Sequence, residues 1–277
     1  MDLKILKDIP PWEWPNEADT ELEGILHDKG ADSSDRLLAA ELAGELTVIR
    51  DGLIDELLSI LHDGNESEQI RATAATSLGC ALEYADEDLY DDDFDDEMIS
   101  YESVTKIRES LRRLYRDAAV PKLVRRRILE ASVHVPQDWH RDAIRASYLS
   151  ADEDWRLTAV FCMQLVPGFE TQILEALDSK NPYIHYHAVC AAGNCGLDEA
   201  WPHISAILTA SQPDKDLLIA AIEAAPNIRP EEAAEILLEL TGSEDEDIVE
   251  AAYEAMSMAD MDWDEGYDDE EDDEIFH

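Results

Sequence analysis

From about residue 17 to residue 259, apolar positions recur at helical spacing in short paired blocks. The first block of each pair is rich in leucine and isoleucine, as in Leu53-Ile54-Leu57-Leu58-Leu61, Ile173-Leu174-Leu177, Ile204-Ile207-Leu208 and Ile236-Leu237-Leu240. Intervals of three and four residues put these side chains on one face of a helix. The second block turns about a small or apolar anchor: Ala39, Ala74, Ile128, Ala159, Ala188, Ala221 and Ala252, separated by 35, 54, 31, 29, 33 and 31 residues. Four residues before the anchor stands Ile70, Val124, Trp155, Ile184, Leu217 or Ile248, and only the first copy departs, with Asp35. Three residues after it come Leu42, Ser77, Ala131, Cys162, Ala191, Ala224 and Ala255, mostly small side chains that let neighbouring helices approach closely. The stretch Asp178–Gly193 is the clearest copy, with Asn181 as N-cap and Pro182 at the first helical position. No strand-like alternation competes. The pattern predicts an all-α fold, a right-handed α-solenoid of about seven helix pairs.

Three segments stand outside the repeat. Residues 1–16 form a capping arm around Pro10-Pro11-Trp12-Glu13-Trp14-Pro15, whose prolines preclude a continuous helix and whose tryptophans are expected to pack over the first repeat. The long second gap holds an acidic insertion at 86–100. Nine of the twelve residues at 86–97 are acidic, which forbids burial and predicts a surface loop. Residues 260–277 carry eleven acids in eighteen positions and are expected to form a disordered tail.

Charge changes the picture from fold to partner. The 277 residues include 66 acidic and 21 basic ones, a net charge of −45. Such a chain repels phosphate backbones and anionic lipid, so neither nucleic acid nor membrane is an expected partner. Acidity of this size serves solubility or tolerance of high salt, or it serves recognition of a basic partner. Against that background, residues 106–127 concentrate nine of the 21 basic residues directly after the acidic insertion. Loop and helices either neutralise one another or form a gate that an acidic partner or phosphate opens. No run reaches the roughly 18 apolar residues that cross a bilayer, and the first residues have no signal-peptide pattern. Cys80, Cys162, Cys190 and Cys195 all fall in predicted helices without paired loop spacing, as reduced thiols of a cytoplasmic protein do.

Several second blocks share a finer motif: Glu68-Gln-Ile70-Arg71-Ala-Thr-Ala74-Ala-Thr-Ser-Leu78-Gly79, Asp154-Trp-Arg156-Leu-Thr-Ala159 and Asn181-Pro182-Tyr-Ile184-His185-Tyr-His-Ala188. This resembles the HEAT-repeat family in its short form, over nearly the whole chain. The resemblance implies a protein-binding scaffold more often than an enzyme. It also implies that Arg36, Arg71, Arg125 and Arg156 reach acidic residues at neighbouring turns as a ladder. His185, Leu218 and Val249 stand where the family usually has Arg.

Tests for chemistry come out negative. There is no P-loop, dinucleotide-binding glycine pattern, HExxH or Gly-x-Ser-x-Gly. The family's di-iron hydroxylase branch relies on His-Glu pairs, and no His-Glu dipeptide is present. The acidic positions of Asp260–Glu271 resemble an EF-hand loop, but the glycine is one place late and no exit helix is expected. His185 and His187 point about 160° apart on a helix, so the His and Cys residues near them are expected to be structural rather than a zinc site. No catalytic residue, metal or cofactor is expected.

With the anchors facing the core, positions two before and two after them point away from it. Through the centre of the array these are Arg126 and Glu130, Leu157 and Phe161, Tyr186 and Cys190, then Ile219 and Glu223, while Arg127 and His187 lie one place before their anchors. Aromatic residues and arginines favour partner contacts. The candidate site is therefore a groove on repeats three to six, with Phe161 and Tyr186 as its anchors and Arg126, Arg127, Glu130, Leu157, His187, Cys190 and Glu223 around them. The expected function is a non-enzymatic, monomeric scaffold that binds a protein or peptide with a basic surface. A lyase-type accessory enzyme acting on a chromophore or prosthetic group, and an acidic DNA mimic, are the rival readings.

Overall fold

The computed structural model describes residues 3–45, 47–84 and 99–261, with side chains through 257. The acidic insertion and the tail lie almost wholly outside the described residues, and with them most of the EF-hand-like run. Every regular element among the described residues is helical. The chain divides into two compact units at residues 166 and 167.

In the first unit a short helix α1 (Leu3–Lys7) and a 3-10 turn (Pro11–Glu13) precede four helix pairs. These are α2 (Ala18–His27) with α3 (Ser33–Leu42), α4 (Asp51–His62) with α5 (Glu68–Tyr84), α6 (Tyr101–Arg116) with α7 (Lys122–Ser132), and α8 (His140–Tyr148) with α9 (Glu153–Cys162). The second unit has three pairs: α10 (Glu170–Ala176) with α11 (Pro182–Asn194), α12 (Trp201–Leu208) with α13 (Lys215–Ile228), and α14 (Pro230–Leu240) with α15 (Glu246–Met261). These are the seven pairs of the hydrophobic pattern, and the architecture is that of an α-solenoid. Within each unit a second helix packs on the second helix of the next pair: α3 on α5, α5 on α7, α7 on α9, then α11 on α13 and α13 on α15.

All seven anchors are fully buried. The close approach has a further sequence device, a glycine five residues after the anchor. A Cβ on Gly44 would lie 3.1 Å from Ser77 Cα, one on Gly79 would lie 2.8 Å from Ala131 Cα, and one on Gly193 would lie 2.7 Å from Ala224 Cα. Each opposing residue is the small one three places after the next anchor. Side-chain caps start the helices where the sequence offers them: Asn181 accepts from the amides of Tyr183 and Ile184 with Pro182 at the first position, and Asp32, Asp152 and Asp214 act likewise.

Most of the arginine positions do something other than form the acid ladder. Arg36 Nη2 donates to the Leu26 carbonyl (3.1 Å), Arg71 Nε to that of Leu61 (3.1 Å) and Arg125 Nε to that of Tyr115 (2.8 Å). Each reaches ten residues back, to the last turn of its own first helix, where carbonyls lack intrahelical partners. Of the four, Arg36 alone is also paired with an acid among the described residues: Glu66, at 2.9 Å through two nitrogens, the one rung of the expected ladder. Arg156 lies over the Tyr148 ring instead. Neighbouring repeats are tied by lysines: Lys122 meets Asp152 and Asp154, and Lys215 meets Asp245 and Asp247 at the same offsets in sequence. In the arm, Leu3 and Leu6 are buried and Trp14 donates its indole N–H to the carbonyls of Leu6 and Ile9. Trp12 does not pack; it is 78% exposed.

Candidate partner-binding surface

In the first unit the second helices border a groove of about 510 Å³. Its floor is α5, whose Gln69, Ala72, Thr73, Thr76, Ser77, Cys80 and Tyr84 follow one another at helical intervals. One wall is Glu41 of α3 with Gly44 and Glu45 just past its end; the other is Leu123 and Arg127 of α7. The groove exists because its lining is small: Ala72, Thr73, Thr76 and Ser77 on the floor and Gly44 on the wall leave space that larger residues would fill.

Its electrostatics are lopsided. Glu41 is held by Lys7 at 3.0 Å, and Arg127 by Glu130 at 2.5 Å. Glu45 is half-buried and has no cationic partner among the described residues. Burial pushes the Cys80 thiol above its usual range, and the carboxylates of Glu83 and Glu45 push the same way. The groove therefore sets the Glu45 carboxylate near a thiol held protonated, with Arg127 on the far wall.

In the second unit, Tyr186 and Cys190 of α11, Glu223 of α13 and Glu254 of α15 interact electrostatically along a row of second helices. Burial, followed by Cys190 and its hydrogen bond and then Glu223, raises the Tyr186 hydroxyl to about 12. Glu223 is raised by partial desolvation and by Glu254. The His187 ring packs edge-on against Tyr186, with centroids 5.2 Å apart. His185 takes the slot that arginine fills elsewhere and meets His203 of α12, Nε2 to Nε2, at 2.7 Å.

The residues expected at the site fall in both units. Arg126, Arg127, Glu130, Leu157 and Phe161 belong to the first; Tyr186, His187, Cys190 and Glu223 belong to the second. Arg126 and Glu130, expected on the open face, are instead buried at 9% exposure each. Thr158 of α9 explains it: Arg126 Nε donates to its hydroxyl (2.9 Å), which donates in turn to Glu130 (2.6 Å). The two side chains are spent joining α7 to α9. Leu157 and Phe161 are half-buried on α9, as are Tyr186, His187 and Cys190 on α11, while Arg127 and Glu223 are exposed.

Glu45, Thr73 and Cys80 of the groove and Glu254 of the second-helix row are not among the expected residues. The signal was present: Ala72 and Thr76 stand two before and two after Ala74, and Glu254 stands two after Ala252. Selecting for large apolar side chains passed over the place where small ones leave a groove. Among the described residues, no three His, Cys, Asp or Glu side chains are grouped to hold a metal, and no helix is long and apolar enough to cross a membrane.

The model for HEAT repeats matches residues 170–257. That stretch, which includes the Asn181–Ala188 motif, is a run of HEAT repeats. Among solved structures the chain is similar to YibA of Escherichia coli, at 17% identity and a TM-score of 0.45, covering 89% of this chain and 84% of that one. It is similar to human deoxyhypusine hydroxylase in complex with glycerol, at 14% identity and a TM-score of 0.41, covering 91% and 87%. It is similar also to an engineered protein, at 15% identity and a TM-score of 0.37, covering 89% and 98%. No curated protein matches it in sequence.

Proposed function

We propose that this chain is a non-catalytic, cytoplasmic protein-binding module whose second helices receive a basic segment of another protein. The observation that carries the reading is the small-floored groove across α3, α5 and α7, with the half-buried Glu45 on its wall, which has no cationic partner among the described residues. A backbone can approach such a floor closely, and a lysine or arginine side chain would supply the cation that Glu45 lacks. The net charge of −45 supports it by steering cations toward the surface. The lyase-type reading would draw on Cys80, which lies in the groove. Burial and two carboxylates hold that thiol protonated, against what nucleophilic catalysis requires.

Selection of a random peptide library against the protein tests this. Lysine- or arginine-containing peptides are expected to be retained. Glu45→Gln should weaken a selected peptide about tenfold, the scale of one charge-assisted hydrogen bond. The exposed Thr76→Trp should abolish binding by filling the groove. Melting of both variants should stay near that of the parent. Selection of acidic peptides only, or full binding by both variants, overturns the reading.

A further inference from the structure

The nine basic residues between 106 and 127 can be followed one by one. Lys106 bridges Asp55 and Glu102. Arg113 lies on the His62 ring at 3.2 Å. Lys122 holds Asp152 and Asp154, and Arg125 holds the Tyr115 carbonyl. Arg126 holds Thr158 and Asp154, and Arg127 holds Glu130. Six are thus occupied within the chain. The three left over, Arg108, Arg112 and Arg116, have no acidic partner among the described residues and lie four apart on α6.

That spacing is geometry with a consequence. On a helix, three residues four apart climb about 12 Å along one side while drifting about 80° around the axis. Val104, Ile107, Leu111 and Leu114 are buried in the unit; Arg112 and Arg116 lie away from that stripe and are exposed, while Arg108 borders it, half-buried and near enough to His140 to act on its charge. Like charges four apart oppose helix formation by about 0.2–0.5 kcal/mol per pair. In a chain with 66 acids to 21 bases, these three guanidinium groups have no acidic partner among the described residues, beside lysines that take two carboxylates each.

We propose that the Arg108-Arg112-Arg116 face of α6 is a second docking surface, for an acidic segment of a partner protein bound in extended form. The steps match: carboxylates on alternate residues of an extended chain recur every 6.4–6.8 Å or so, against about 6 Å along α6. Guanidinium groups grip carboxylates in pairs of parallel hydrogen bonds. Nucleic acid fits less well, because it brings a charge every 1.7 Å or so into the field of a strongly acidic protein. A short acidic segment is governed by the local arginines, since screening limits the field of more distant carboxylates to about 8 Å at physiological salt. The surface is independent of the groove on α3, α5 and α7 and takes a ligand of opposite charge.

A fluorescent peptide of alternating glutamate and threonine, titrated with the full chain at low and physiological salt, is the test. The parent should bind it and R112Q/R116Q should lose about tenfold in affinity, with melting unchanged. R141Q/R145Q, which removes the same charge from exposed arginines of α8, should bind within about twofold of the parent. Equal losses in both double variants, absence of binding by the parent, or tighter binding of a single-stranded oligonucleotide than of the peptide would overturn the proposal.

Discussion

His140 is the one histidine among the described residues with no solvent exposure, and its ring is committed on both sides. Nδ1 accepts the Gln137 amide N–H at 2.8 Å. Nε2–H donates to Ser132 Oγ at 3.0 Å, and that hydroxyl donates to the Leu129 carbonyl. A second ring proton would face an N–H, so the fold requires the neutral form. Burial, with a smaller contribution from Arg108, lowers its pKa to about 4. The unfolded chain binds the proton near pH 6.5, so stability held by neutral His140 is full above that value and is lost as the pH falls toward 4. The effect reaches about 3 kcal/mol at most. His62, His134, His185 and His203 are also lowered, each first by burial, and add in the same direction. Urea unfolding at pH 7 and pH 5 should show the parent losing stability on acidification, and His140→Gln losing clearly less. An equal loss in the variant would refute the assignment.

Helix periodicity made the elements legible, because each pair has to bury one stripe and the stripe is written in leucine and alanine. Contacts between elements were legible only in part. Small residues three places after each anchor were visible as a requirement for close stacking, but their partners were not. Gly79 and Gly193 are ordinary helix interruptions until Ala131 and Ala224 are placed against them. Gly193→Ala should therefore destabilise by about 1–3 kcal/mol, since the opposing atom is helix backbone that cannot swing away. Gly24→Ala in α2 should do the reverse. Nothing lies within 4 Å of its added methyl, and the helix gains about 0.5–1 kcal/mol. Thermal melting of the two variants checks both signs at once. The buried Arg126–Thr158–Glu130 set shows why the site was harder to see than the fold. Periodicity gives the direction of a side chain from its own helix but not the position of the next helix, and α9 lies where open space was expected.

For the whole molecule, composition fixed the sign of the surface field and contacts decide what that field does to stability. Most ion pairs described are exposed, the Lys122 and Lys215 clamps among them, and exposed pairs contribute little. Against them stands the self-repulsion of a net −45 chain. Salt screens both, so its net effect reveals the larger. If repulsion dominates, raising sodium chloride from about 0.05 M to about 0.5 M shortens the screening length from roughly 14 Å to roughly 4 Å and stabilises the fold. We expect a rise in melting temperature of about 5 °C, or roughly 2 kcal/mol. Chloride and sulfate salts matched in ionic strength should agree closely if screening is the cause. A lower melting temperature at high salt would mean that the lysine clamps outweigh the repulsion. Glu45 and the α6 arginines, without partners of opposite charge among the described residues, would then have to be read differently: they stand out because most charges elsewhere are tolerated rather than used, and a fold held by its surface ion pairs would leave no such contrast.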